Sequence, residues 1–355
     1  MKTSPSAISA RSRHTYPALA CTSLAIISQQ NEVFHGRTLE LTEDLPSWLT
    51  WYPASHEFQK QAPDGTPGAR YVAKYPIMAI TTAIYFDGGQ QNMLEGFNEA
   101  GLSFSANMVP EARLTPLAAA QYSGAIPVTA LGEWALCCFS DVEEVRQAVN
   151  TGCFWSPVLA NLGGVVSPFH FAFYDKQGGS IVVEAAEGRF RVYDNPTRAM
   201  TNGPDFPWHL QNLNNYTHLT NIDCSEATLG NIRLRQPDSG IAISSLPSSD
   251  TSPDRFIRAV FYTSYAPVCA SATEALITLS HIMNRFDRMK NITVDTMGES
   301  GSTAVQTTEY TVWTSLSDLS RGKMLIRGYH DLGYQSFSLA QFAGGSEPVL
   351  IRITL

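Results

Sequence analysis

A chain of 355 residues with 44% hydrophobic and 16% charged side chains can bury a large core. Its net charge of −8 speaks against nucleic acid as a partner, which calls for a basic face. No run of roughly eighteen apolar residues is present to span a membrane. The six cysteines, Cys21, Cys137, Cys138, Cys153, Cys224 and Cys269, make no CxxC pair and no Cys/His cluster at zinc spacing. P-loop, dinucleotide and G-x-S-x-G motifs are also missing, so no metal or other cofactor is expected.

In chain order, residues 1–20 read as a removable leader, signal or propeptide. Lys2, Arg11 and Arg13 give a basic start, and Ala18-Leu19-Ala20 gives a small-x-small cleavage site directly before Cys21. That arrangement favours a periplasmic or secreted protein. The apolar middle of an export signal is missing, which keeps a cytoplasmic location as the alternative. Residues 21–355 are expected to form one domain. Strands are predicted over 22–28, 77–86 and 101–109, and a helix over about 141–150 with Ser140 and Glu143 as a capping-box pair. "FHFAFYD" and "SIVVEAA" flank the turn Lys176–Gly179 as a hairpin. Helices are predicted near 254–264 and 271–285, followed by the strands "EYTVWTSL" and "KMLIRGYH". Strands, then helices, then strands again indicate an α+β layered domain. The five downstream cysteines are expected to be buried, and His281 to be a core residue of its apolar helix.

The position of Cys21 carries the chemistry. A free α-amine has a pKa of about 7.7–8.0, so part of it is unprotonated at neutral pH. On a chain beginning at Cys21, that amine can take the proton of its own thiol, and one residue supplies both base and nucleophile. In an uncut chain the same nitrogen is an amide and cannot act as a base. Such a site also needs a cation near the thiolate, an acidic group to orient the amine, and donors for a tetrahedral oxyanion.

Several stretches resemble the choloylglycine hydrolase family, which contains bile salt hydrolases and penicillin V acylases. They are "ACTSL" (20–24), "GRTLEL" (36–41), "EGFNEAGLSFSANM" (95–108), "YDNPTRAMTNGPDFPWHLQNLNNY" (193–216) and "LPSSDTSPDRFIRAVFY" (246–262). They follow one another in the family's order across nearly the whole chain after residue 20. The resemblance implies a four-layer αββα Ntn-hydrolase sandwich, two stacked antiparallel sheets flanked by helices, and hydrolysis of a non-peptide amide through a thioester. Carried over, Cys21 would be the nucleophile, Arg37 the cation beside it and Glu40 the holder of the amine. Asn202 would donate its side-chain amide to the oxyanion, the backbone N–H at Met108 would be the second donor, and Arg255 would complete the charged cluster. Glu40 stands where many members carry Asp, and Met108 where Tyr or Asn is usual. "EDLPSWLTWYPASHEF" (43–58) looks like the Gram-negative branch. The substrate implied is a small-molecule acyl amide such as penicillin V, an acyl-homoserine lactone or a conjugated bile salt; family members are often homo-oligomers, tetramers among them. Two alternatives remain: a silent ligand-binding relative that retains the leader, and a ceramidase-like amidase.

Overall fold

The computed structural model describes residues 20–82, 92–159, 164–297 and 305–354. The expected leader, residue 20 apart, and the end of the strand expected over 77–86 lie outside the described residues.

Strands β1 (Ala20–Ile27) and β2 (Val33–Leu41) form an antiparallel pair with Cys21 opposite Leu39 and Ser23 opposite Arg37. Their turn closes through Ser28, whose amide donates to the Glu32 carbonyl at 2.9 Å. Asn31 takes the left-handed conformation there at φ 61°, which asparagine tolerates. The next strands are β3 (Trp48–Tyr52), β4 (Ile77–Thr82), β5 (Asn92–Asn98), β6 (Leu102–Met108), β7 (Phe169–Asp175) and β8 (Ser180–Ala186). The last six are β9 (Arg189–Asp194), β10 (Ala199–Met200), β11 (Tyr310–Asp318), β12 (Lys323–Gly328), β13 (Gln335–Ser338) and β14 (Val349–Arg352).

These strands build two sheets. One has six strands in the order β10-β1-β2-β11-β12-β13, the other eight in the order β9-β8-β7-β6-β5-β4-β3-β14. Every ladder in them is antiparallel. Helices α1 (Leu131–Cys138) and α2 (Val142–Thr151) pack on the larger sheet, and α4 (Ser252–Tyr265) and α5 (Ala272–Met283) on the smaller. A short α3 (Phe206–Asn212) follows β10. With β1 against β6 between the sheets, the stack is helix, sheet, sheet, helix, an α+β sandwich of the αββα kind. Both faces of the central strands are covered, so β2, β5, β6, β7 and β11 are buried at every position. Their polar residues must then find partners inside the protein, and those partners make the site.

Three local expectations change. The cap of α2 is Asp141, whose carboxylate accepts from the amides of Glu143 and Glu144, while Ser140 bonds the Glu144 side chain. A carboxylate reaching two amides leaves the neighbouring serine no capping role. Cys137 and Cys269 are buried, but Cys138 is only partly so, and Cys153 and Cys224 are exposed because they fall in connections. His281 is exposed in the last turn of α5, on the face turned from the sheet.

Candidate active site

Neighbours across β1 and β2 share a face, so Cys21, Ser23, Leu39 and Arg37 look into the space between the sheets. Ala20, Thr22 and Glu40 look the other way, toward the helices. Arg37 crosses to the second sheet. Its Nη2 donates to Cys21 Sγ at 3.3 Å and to the Ala106 carbonyl at 2.6 Å, and its Nη1 donates to the Leu94 carbonyl.

Those two carbonyls are available because the β5–β6 ladder stops at Glu95 opposite Ser105. In addition, β5 bulges at Leu94: Ile80 pairs with Glu95 but Thr81 with Met93, which leaves Leu94 out of the β4 ladder. The guanidinium fills the gap where strands β5 and β6 part. Burial pushes the Cys21 thiol pKa up, against the pull of Arg37 and, further off, Arg255. With Ala20 still attached and the residue 2% exposed, the sulfur is a protonated, shielded thiol.

Asn202 meets Cys21 from the end of the smaller sheet. Its Oδ1 accepts from the Cys21 backbone N–H at 2.9 Å and from Arg255 Nη2 at 2.8 Å, and its Nδ2 donates to the Met108 carbonyl at 3.1 Å. Arg255, on α4, also donates to the Cys21 carbonyl and to Thr22 Oγ1. Met108 closes the site from β6. Val109 N–H donates to the Pro168 carbonyl, so ladder alternation turns the Met108 amide away from β7 and toward Asn202.

Glu40 lies on the helix side. A second bulge lets it pair with Thr311, whose hydroxyl donates to its Oε1 at 3.1 Å, and among the described residues no hydrogen bond reaches its Oε2. Burial pushes its pKa up to about 7, opposed by the charge of Arg255. The Cys21 N–H is thus held by Asn202 in the uncut chain, with Glu40 acting on Cys21 and Arg255 through space.

Five of the six expected residues converge within hydrogen-bonding reach of one another. Sequence reasoning missed the supports behind them. His209 Nε2 donates to the Asn202 carbonyl at 2.9 Å, and His170 Nε2 donates to the Thr201 carbonyl at 3.1 Å. Glu95 stands behind Arg37 at 3.7 Å. Its signal was present: Glu95 shares a strand face with Phe97, and a carboxylate on an inward face demands a partner. A cleft of about 1310 Å³ opens over the cluster, with Ala20, Met108, Asn202 and Arg255 in its wall. Among the described residues no group of His, Cys, Asp and Glu is arranged to hold a metal ion.

The sequence matches the family model of linear amide C–N hydrolases, choloylglycine hydrolase family, over residues 21–343. It is similar to a bile salt hydrolase/transferase of Clostridium perfringens, at 26% identity over 303 residues, 85% of this chain and 87% of that one. The fold is similar to that of a conjugated bile acid hydrolase variant from Clostridium perfringens, with a TM-score of 0.78 and 22% identity over 94% of this chain and 97% of that one. It is also similar to penicillin V acylase from Agrobacterium tumefaciens, with a TM-score of 0.68 and 18% identity over 90% and 87%. A match that begins at Cys21 and runs through almost all of the two-sheet stack makes this chain a member of the choloylglycine hydrolase family, an enzyme that hydrolyses linear amide C–N bonds.

Proposed function

We propose that loss of residues 1–20 frees the α-amine of Cys21, and that Cys21 then cleaves an acyl amide through a thioester. The contact that carries this reading is the pair of bonds on one residue: Sγ to Arg37 at 3.3 Å and N to Asn202 at 2.9 Å. The residue after the small-x-small site therefore has a cation at its sulfur and an acceptor at its nitrogen. The Ala20 side of the bond lies in the cleft wall, where a substrate would enter.

The amine takes the thiol proton, and the thiolate, held by Arg37, attacks the amide carbonyl. Asn202 Nδ2 and the Met108 N–H, side by side at the cleft wall, donate to the oxyanion. The ammonium returns its proton to the departing amine as the C–N bond breaks, leaving the acyl thioester. Water deprotonated by the same amine cleaves the thioester, which releases the carboxylic acid and restores the thiol. Glu40 and Arg255 keep the charge around the new ammonium near balance.

The substrate is an acyl amide with an apolar acyl part and a small polar amine part: penicillin V, an acyl-homoserine lactone or a conjugated bile salt. The segment 110–113 walls the catalytic cleft, and its continuation 114–117 walls a second cavity of about 670 Å³ with Tyr122, Trp155, Val158 and Leu159. Those four side chains form an apolar patch in an otherwise mixed lining that includes Lys60, Gln61 and Asn92, and the patch suits the acyl part. A homo-oligomer in the periplasm or outside the cell is the accompanying reading. Among the described residues no helix is long and apolar enough to cross a membrane.

Mass measurement of the active protein, with hydrolysis assays on those three substrate types, tests the proposal. A chain starting at Cys21, and loss of hydrolysis in Cys21→Ala, are expected. An active preparation that keeps residues 1–20 would overturn it, as would an active Cys21→Ala.

A further inference from the structure

Between the sheets, directly behind the thiol, lies a closed group of polar side chains that the reaction above leaves unused. Glu95 of β5 accepts hydrogen bonds from Ser315 Oγ of β11 and, at 3.3 Å, from Ser105 Oγ of β6. Its Oε2 is 3.7 Å from Arg37 Nε. Ser105 Oγ continues to His35 Nε2 at 3.1 Å, His35 Nε2 to Ser23 Oγ at 3.0 Å, and Ser23 Oγ to Tyr174 OH at 3.0 Å. All of these residues are buried.

Arg37 is itself 1% exposed, and a buried guanidinium needs an opposite charge. Among the described residues Glu95 is the one carboxylate in ion-pair reach of it. Glu95 also lies on the thiol's side of the smaller sheet, whereas Glu40 lies behind it. The other nitrogens of Arg37 are committed to Leu94, Ala106 and the sulfur, and Nε, which makes no hydrogen bond among the described residues, faces the carboxylate as an ion pair.

We propose that Glu95 is a positioning residue for the amide hydrolysis: it is the buried counter-charge that holds Arg37 under Cys21 and sets how strongly the guanidinium stabilises the thiolate. The inference rests on the reading of Cys21 as nucleophile. The groups touching Glu95 are Arg37 from β2, Ser315 from β11 and Ser105 from β6; beyond them lie Cys21 from β1, through Arg37, and His35 from β2, Ser23 from β1 and Tyr174 from β7, in that order through Ser105. Burial and the charge of Arg37 push His35 down to about 3, and burial pushes the Tyr174 phenol up, so both stay neutral at working pH. Burial pushes Glu95 up to about 7 against the pull of Arg37, the cation that it shares with the Cys21 thiol.

The test is the pH dependence of Cys21 alkylation by iodoacetamide, read by mass on the peptide carrying Cys21, in the mature enzyme and its Glu95→Gln and Glu95→Asp variants. Removing the negative charge behind Arg37 should move the thiol midpoint down by about one pH unit. The acid limb of kcat/KM should follow it, with KM little changed, and Glu95→Asp should move most of the way back. A Glu95→Gln midpoint coincident with that of the parent overturns the proposal. If that variant does not fold, Ser315→Ala serves. It removes a donor from the charged carboxylate, raises the carboxyl pKa, and should shift the midpoint down by a smaller step; no shift overturns the proposal equally. Alkylation of Cys21 that leaves hydrolysis intact would instead remove the nucleophile assignment, a separate and recognisable result.

Discussion

Arg255 can only donate, so the contact from its Nη2 settles which end of the Asn202 amide is oxygen, and the Cys21 N–H bonds that same oxygen. The backbone at Asn202 is fixed as firmly. Its N–H donates to Ser252 Oγ at 2.9 Å, and its carbonyl accepts from His209, which burial pushes down to about 4 and so keeps neutral. One side chain therefore holds the nitrogen of Cys21 and, in the proposed reaction, receives the oxyanion. Two substitutions separate these roles. Asn202→Ala should lower kcat by about 10²–10³, the usual loss for an oxyanion donor. It should also cost about 1–3 kcal/mol of stability, because Arg255 and the Cys21 amide lose an acceptor. Asn202→Asp keeps that acceptor but places an oxygen against the Met108 carbonyl. It should lose as much turnover as Asn202→Ala in steady-state assays while its ammonium stays anchored. Near-normal turnover in Asn202→Ala would remove Asn202 from the chemistry.

At the level of elements, the active strands are set by close packing that local sequence only partly announces. Helix α1 lies on β6 through Gly132, where an added Cβ would come within 2.0 Å of the Phe104 ring. Gly132→Ala should therefore destabilise the protein by about 1–3 kcal/mol or more through overpacking. Because Phe104 and Met108 share β6, kcat should fall with it; urea unfolding and a turnover assay on the same sample check both. Unchanged unfolding would show that α1 can lift from the sheet freely. The hairpin of β7 and β8 was legible because turn residues punctuate two apolar runs, and the strands near 310 and 323 for the same reason. The start of α4 moved forward to Ser252, since Pro253 fits a first helical turn. Cys21 was legible from its place behind the small-x-small site, and Arg37, Asn202 and Arg255 through motif resemblance. The bulges at Leu94 and opposite Glu40 were not, for a bulge is a fact of register between strands far apart in sequence. Those bulges decide that Leu94 supports Arg37 and that Glu40 meets Thr311, so the support of the site could not be read from the residues that form it. Exposure of His281, Cys153 and Cys224 likewise depends on which helix face and which loops the sheets leave uncovered.

For the molecule as a whole, the four-layer stack gives the chain three interiors, and two of them, one between the sheets and one under α4 and α5, each bury a carboxylate beside the site. Glu95 occupies the first and Glu40 the second, and burial raises both from an ordinary 4.5 to about 7. A carboxyl with a raised folded-state pKa keeps its proton longer than the unfolded chain does. Its contribution to stability is thus fully present below about 4.5 and is lost as pH climbs through 7. The shift corresponds to an upper bound of about 3 kcal/mol for each group, reduced by whatever relaxation lets Arg37 or Arg255 compensate. Between pH 5 and pH 7 these two carboxyls should therefore lower the parent's stability, against the opposite contribution of His35 and His209, whose folded-state values of about 3 and about 4 lie below the ordinary 6.5. Glu40→Gln carries no such proton linkage. Its melting temperature should rise relative to the parent's over the same interval, the histidines being common to both, with the two curves closest at pH 5 and furthest apart at pH 7. Melting temperatures that change in parallel would mean that Glu40 is ionised throughout. In that case Arg255 would outweigh burial, and the helix side of the site would hold a permanent ion pair ready for the ammonium.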